Sequence, residues 1–382
     1  MYLAWREMLF ARTRFLLMGA VLALMSVLVV IISGLTAGLV NDGVSSLKSL
    51  DSDVIAFADG TQTDSAFTRS VVDSAAAEDF SHIDGVTDSA PLGLSIVNAH
   101  NQDAKPVDLT LFGVNPDSFL APEGLPKINS RPHPGSPTET KHDIIASSTF
   151  QEKGIAVGDT ITIDRLDIPL HVVGFTDGQR TFGHVDVAYL PLDVWQEIQA
   201  GARNGEPVNP AAYEEASVII ARTQDKADTE ALSEQSGLDV RTPQASFDSS
   251  PGYTAEMMTL SMIKWFLFAI AALVTGAFFL VWTIQRAGNI ATLRTMGATK
   301  GFLLRDSLGQ AIVILAISIL AGLLIAVGIG SLLETTAMPY VTEFASVLGG
   351  GAILFVSGFI GALVAVVRVT RTNPLAALGE NR

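Results

Sequence analysis

FLLMGAVLALMSVLVVIISGLTAGLV, residues Phe15 to Val40, is a run of 26 residues without a charge. As an α-helix it is ~39 Å long, enough to cross a ~30 Å hydrocarbon core with some tilt. The apolar region of a secretory signal is shorter, about 7–15 residues, and ends in a small-residue cleavage site. No such site follows Gly38, so the run reads as an uncleaved helix. Three further apolar runs follow: Ile263 to Ile284, interrupted only by Lys264 beside Trp265, then Leu308 to Leu333 and Val347 to Val367. Four runs near or above the ~20-residue spanning length predict an α-helical membrane protein with four transmembrane helices.

Lys and Arg set the expected orientation. Arg6, Arg12 and Arg14 precede the first run, and Arg286, Arg294, Lys300 and Arg305 fill the link between the second and third. Arg368 and Arg371 follow the fourth, whereas the link between the third and fourth carries only Glu334 and Glu343. Positive loops stay inside, which puts both termini in the cytoplasm of a multi-pass plasma-membrane protein. The expected division is a cytoplasmic amphipathic segment at 1–14 and transmembrane helices at 15–40, 259–284, 307–333 and 347–368. A mixed α/β extracytoplasmic domain at 41–258 is inserted between the first two helices. A cytoplasmic link at 285–306, an outer link at 334–346 and a cytoplasmic tail at 369–382 complete it. Trp5, Leu9 and Phe10 among the N-terminal arginines suggest a helix lying on membrane lipid.

Charge divides the same way. The chain has a net charge of −15. Residues 41–258 hold 13 Lys and Arg against 34 Asp and Glu, while the flanks hold 11 against 5. No basic stripe exists to neutralise phosphates, which excludes nucleic acid as a partner. With no cysteine there is no thiolate metal site and no thiol nucleophile.

In the outer domain, Val54–Phe57, Asp159–Asp164, Leu170–Phe175, Val185–Leu190 and Ala216–Ala221 read as strands. Helical patterns fall around Phe67–Ala77, Pro191–Gln199 and Asp225–Gln235, and Gly124–His142 and Thr242–Gly252 read as loops. Asn41-Asp42-Gly43 and Pro251-Gly252 predict only short helical extensions beyond the membrane. Six histidines lie here (His82, His100, His133, His142, His171, His184), without an HExxH or His-x3-His spacing. No GxSxG elbow occurs, and adjacent carboxylates such as Glu78–Asp79 point apart. A catalytic site is not expected. Nor does the chain carry a G-x4-G-K-[ST] loop, so it is not expected to bind ATP by a Walker motif.

The link after the second run reads Gln285-Arg286-Ala287-Gly288-Asn289-Ile290-Ala291-Thr292-Leu293-Arg294-Thr295-Met296-Gly297-Ala298. It resembles the "R..EIA.LRA.GA" segment of ABC-transporter permeases of the FtsX/MacB superfamily, with Asn289 where Glu is common. Arg371-Thr372-Asn373-Pro374-Leu375-Ala376-Ala377-Leu378 is similar to the "R..P..AL" close of that superfamily. Gly154-Ile155-Ala156-Val157-Gly158-Asp159-Thr160-Ile161 resembles a turn in its outer domains. Leu3-Ala4-Trp5-Arg6-Glu7, Phe67-Thr68-Arg69-Ser70, Pro91-Leu92-Gly93 and Leu111-Phe112-Gly113-Val114 are similar to HrtB-type permeases, the membrane half of a haem exporter.

The resemblance implies a permease homodimer driven by a cytoplasmic ABC ATPase subunit, with no permanently bound cofactor and haem as the transported ligand. It marks Arg286, Ile290, Leu293, Arg294, Gly297 and Ala298 as ATPase-coupling residues. Haem iron accepts Met, His, Tyr or carboxylate ligands, and two groups near the outer helix ends supply them. One is Glu256, Met257, Met258 and Met262, near Tyr253 and with Lys264 as a propionate partner; the other is Glu334, Met338, Tyr340 and Glu343. The same architecture serves mechanotransmitters, which pass ATPase motion to a cell-wall hydrolase, and permeases for lipoproteins, peptides or antibiotics. Gly322, Ala326 and Gly330, four apart, form a small-residue face suited to close helix packing.

Overall fold

The computed structural model describes residues 12–126, 142–204, 206–224, 228–285, 299–336 and 338–371. The chain divides into two compact units, residues 1–39 with 257–382, and residues 40–256. Helix α1 (Arg12–Lys48) belongs to both; it continues through Asn41-Asp42-Gly43, where the sequence predicts its end, and kinks at Val44 (φ −143°, ψ 22°).

The described residues of the outer unit carry twelve strands in chain order: β1 Val54–Phe57, β2 Val72–Asp73, β3 Val86–Asn101, β4 Pro106–Val114, β5 Asp143–Ala146 and β6 Thr160–Ile163, then β7 Ile168–Phe175, β8 Thr181–Phe182, β9 Val185–Pro191, β10 Glu215–Ala216, β11 Val218–Thr223 and β12 Asp239–Arg241. Ten of them form one sheet in the order β12-β1-β11-β3-β4-β9-β5-β7-β6, with β8 on β9. Because β6 also pairs with β3, six of these strands (β3, β4, β9, β5, β7, β6) close into a ring, which leaves no free edge on that side. Strand alternation sorts the side chains. Ile55 and Phe57 of β1 enter one core with Phe67, Leu92, Phe112 and Phe182; Val54 and Ala56 enter another with Phe80, Ile219 and Leu232. A third core, lined by Leu109, Leu111, Ile161, Leu170 and Trp195, belongs to the strand ring.

Local chemistry explains the turns. Gly154 and Gly158 take φ +81° and +98°, values that favour glycine. Asp159, next after Gly158, accepts the N–H of Ala156 on its Oδ2 at 2.8 Å, shaping the entry to β6. Helix α2 (Leu192–Gln199) lies where the sequence predicts it. The helix expected at Phe67–Ala77 is broken instead into Ala66–Arg69 and Ala76–Ser81 with β2 between. The β-branched Val72 pairs with Ala216 of β10, and that pairing outweighs local helical pattern. Thr242–Gly252 is not all loop: Pro243–Ser246 forms a helical turn capped by Thr242 Oγ1, which accepts the Ala245 N–H.

The second unit contains, besides the start of α1, helices α3 (Tyr253–Gln285), α4 (Lys300–Leu333) and α5 (Phe344–Arg371). Among the described residues four helices are long and apolar enough to span a bilayer. Their shared core includes Phe15, Leu22, Phe279, Leu315 and Leu354. The small-residue face packs within the protomer: a Cβ on Gly322 would stand 2.4 Å from the Ala23 carbonyl oxygen of α1, and Ser26 Oγ donates to the Ile319 carbonyl at 3.2 Å. Gly330 of the same face receives the Tyr340 hydroxyl.

Candidate functional site

Helix α3 opens the site. Gly252, at φ +74°, turns the chain into it, and the Glu256 N–H donates to the Gly252 carbonyl at 3.1 Å. The Glu256 carboxylate meets the ring of His184, whose Nε2 lies 3.1 Å from Oε2 and 3.2 Å from Oε1. The other ring nitrogen, Nδ1, lies 2.8 Å from Asp42 Oδ2. Asp42 Oδ1 accepts from Gln179 Nε2 at 3.0 Å, and Gln179 Oε1 accepts from Asn41 Nδ2 at 3.1 Å. His184 stands on the turn between β8 and β9. Gly183 and His184 both lie in the left-handed region there (φ +57° and +64°), and the Gly183 N–H donates to the Gly43 carbonyl at 2.8 Å.

Only a doubly protonated imidazole donates from both nitrogens. The His184 pKa is raised accordingly, first by the hydrogen bond to Asp42, and further by the charge of Glu256, against desolvation. The two carboxylates flank opposite edges of the ring instead of converging. Among the described residues no group of three or more His, Asp or Glu is arranged to hold a metal ion.

The other candidates on α3 divide by helix geometry. Residues i and i+2 stand ~200° apart about the axis, and i and i+4 ~40° apart. Met258 and Met262 therefore share a face, and are 68% and 53% exposed. Glu256 lies opposite Met258, so the helix splits the group that looks continuous in sequence. Met257 and Lys264 are half-buried.

In the outer link, Tyr340 is buried: its ring stands 2.4 Å from where a Gly34 Cβ would be, and Gly38 abuts the Pro339 carbonyl. To reach a ligand this ring would have to leave a slot shaped by Gly34 and Gly330. Glu334 accepts the Thr342 N–H at 2.7 Å, and Glu343 accepts the Ser346 hydroxyl at 2.6 Å, so both shape the link. Met338 is 52% exposed. Arg286, Ile290, Leu293, Arg294, Gly297 and Ala298 lie outside the described residues.

The remaining histidines separate by environment. His100 pairs with Asp164 at 2.6 Å, and His171 Nδ1 lies 3.0 Å from Thr160 Oγ1. His142 is buried, and burial, with His171 nearby, pushes its pKa below the ordinary 6.5. Between that depressed value and 6.5 the unfolded chain binds a proton that the folded chain does not, so acidification costs stability in that window. Thermal unfolding of the full chain is expected to shift down between pH 7.5 and 5.5 by less in a His142→Gln variant than in the wild type. Equal shifts would show that His142 is not responsible.

The sequence matches the MacB-like periplasmic core domain over residues 16–236 and the FtsX-like permease C-terminal family over residues 261–374. The chain is an ABC-type permease of the FtsX/MacB superfamily. Among the relatives of this permease is the hemin transport system permease protein HrtB of Staphylococcus haemolyticus, 24% identical over 99% of both chains. The pyoverdine export ATP-binding/permease protein PvdT of Pseudomonas syringae is 25% identical over 60% of this chain and 32% of its own length. The extracellular domain of the ABC-type transporter YknZ aligns with 50% of the permease and 99% of that domain at 16% identity. Its TM-score of 0.32 is too low to bear on the assignment.

Proposed function

We propose that this permease is the membrane subunit of an ATP-driven exporter whose cargo is haem, taken from the outer leaflet and expelled as two protomers close on it. The observation that carries the reading is the end-to-end likeness to a hemin transport permease, over 99% of both chains. It is supported by the exposed thioethers of Met258 and Met262 on one helix face and by the carboxylate of Glu256. Thioether and carboxylate are both ligands of haem iron. One helix presents them on opposite sides, so a pair of permeases could offer one of each to a single ligand. Met338 is a further thioether, and Lys264 a counter-charge for a propionate.

Haem titration of the purified permease in detergent, followed at the Soret band, tests this. Saturation near one haem per protomer or per dimer is expected, with an affinity loss of about tenfold or more in Glu256→Ala/Met258→Ala. A flat, non-saturating response in the wild type would move the assignment to a lipid, peptide or protein client.

Coupling is assigned to the cytoplasmic link, with ATP hydrolysed on a separate subunit. An Arg294→Glu exchange reverses charge in a short basic segment between two helices. It is expected to leave the permease folded and ATPase activity near its basal level, while transport in vesicles falls by about tenfold or more, the loss of one charge-assisted contact of ~1.5–3 kcal/mol. Unchanged transport would remove Arg294 from the mechanism.

A further inference from the structure

We propose that His184, braced by Asp42, is the positioning residue that fixes Glu256 in its ligand-binding rotamer. The inference rests on the reading of Glu256 as a haem ligand and adds residues that the sequence did not single out. Three groups far apart in the chain, at positions 42, 184 and 256, are brought into one hydrogen-bonded row within the outer unit. The row is anchored at its far end: Asn41 holds Gln179, Gln179 holds Asp42, and Asp42 holds Nδ1 of the ring. The backbone of His184 is fixed as well, on a left-handed turn whose preceding N–H is donated to Gly43.

Glutamate is long and loses rotamer freedom when it binds anything. A ring already held in place settles that cost in advance. A carboxylate has lone pairs enough to keep one oxygen on Nε2 and to offer the other to iron. Outer partners of this kind orient ligating groups, and removing one typically lowers metal affinity by about 10–100-fold. A plain structural staple between the ends of the outer unit would also explain the contacts, and the two roles differ in how their losses combine.

The test is a Soret titration of the full-length permease in detergent with Glu256→Gln, His184→Asn, Asp42→Asn and the double change Glu256→Gln/His184→Asn. Asparagine tolerates the left-handed backbone at position 184. Glu256→Gln and His184→Asn are each expected to weaken haem binding by about 10–100-fold and to move the Soret maximum in the same direction. Asp42→Asn should produce a smaller loss of the same sign. The double variant should bind no more weakly than Glu256→Gln alone, because His184 acts only through Glu256.

Wild-type affinity in His184→Asn, or losses that multiply in the double variant, overturns the positioning role while leaving haem as the cargo. Wild-type affinity in Glu256→Gln overturns it by removing the ligand being positioned. Absence of saturable binding in the wild type removes haem itself and this role with it. If His184→Asn does not fold, Asp42→Asn carries the same comparison alone and combined with Glu256→Gln.

Discussion

A Trp195→Ala exchange is expected to cost the outer domain about 3–5 kcal/mol, the range for emptying a buried tryptophan site. The indole is 2% exposed, and it lies on two glycines that face each other across the β3–β4 ladder, Gly93 and Gly113. A Cβ on Gly93 would stand 2.2 Å from the indole Cδ2, and one on Gly113 would stand 2.3 Å from Trp195 Cβ. The indole N–H also donates to Ser95 Oγ at 3.0 Å. Collapse of the slot is resisted by the closed ring of strands beneath it, so the cavity persists. Thermal unfolding of the full chain measures the loss. The converse change, Gly113→Ala, overfills the same slot and should cost about 1–3 kcal/mol. A midpoint unchanged in both variants would show that the slot does not hold the domain together.

The second large effect lies among the membrane helices. Gly361→Ala is expected to lower the stability of the detergent-solubilised permease by about 3 kcal/mol, the upper part of the range for overpacking. The added Cβ would fall 2.0 Å from the Ala272 carbonyl oxygen and 2.8 Å from its carbon. Both are backbone atoms, so no side chain can swing away, and α3 and α5 must separate. Gly276 faces the Gly361 carbonyl at the same crossing. Gly309→Ala is the control, since nothing stands within 4 Å of its Cβ position. There the substitution should be neutral or slightly stabilising, because alanine is the better helix former. Equal behaviour of the two variants would mean that the crossing is looser than the structure shows.

These positions also separate what was legible from what was not. Phe15 to Val40 and the three later apolar runs show their helices directly, because a bilayer demands long uncharged segments. Val54–Phe57, Thr160–Ile163 and Val185–Pro191 are legible as short runs rich in apolar and β-branched residues, and of the three Thr160–Ile163 alternates between buried and half-buried positions. The longest strand, Val86–Asn101, escaped this reading. It carries Pro91 and Gly93, and its sixteen residues pair in turn with three strands, β11, β4 and β6, and serve two cores instead of one buried face. The motif glycines Gly93 and Gly113 carry a resemblance in sequence, while their reason, the indole between them, is visible only once α2 is docked.

The candidate site divides likewise. Glu256, Met258, Met262 and Met338 are legible because ligand-type side chains at outer helix ends are few. Asp42 and His184 are not, for His184 is one of six outer histidines and its partners lie 142 and 72 residues away. Sequence by itself determined the four spans, the acidic inserted domain and the superfamily, since each follows from local composition or contiguous motif. Tertiary structure alone decided that Tyr340 fills a glycine slot, that the Gly322 face packs on α1, and that Glu256 is held by a histidine. Each of those depends on which distant backbone comes close enough to touch, and no local spacing encodes that.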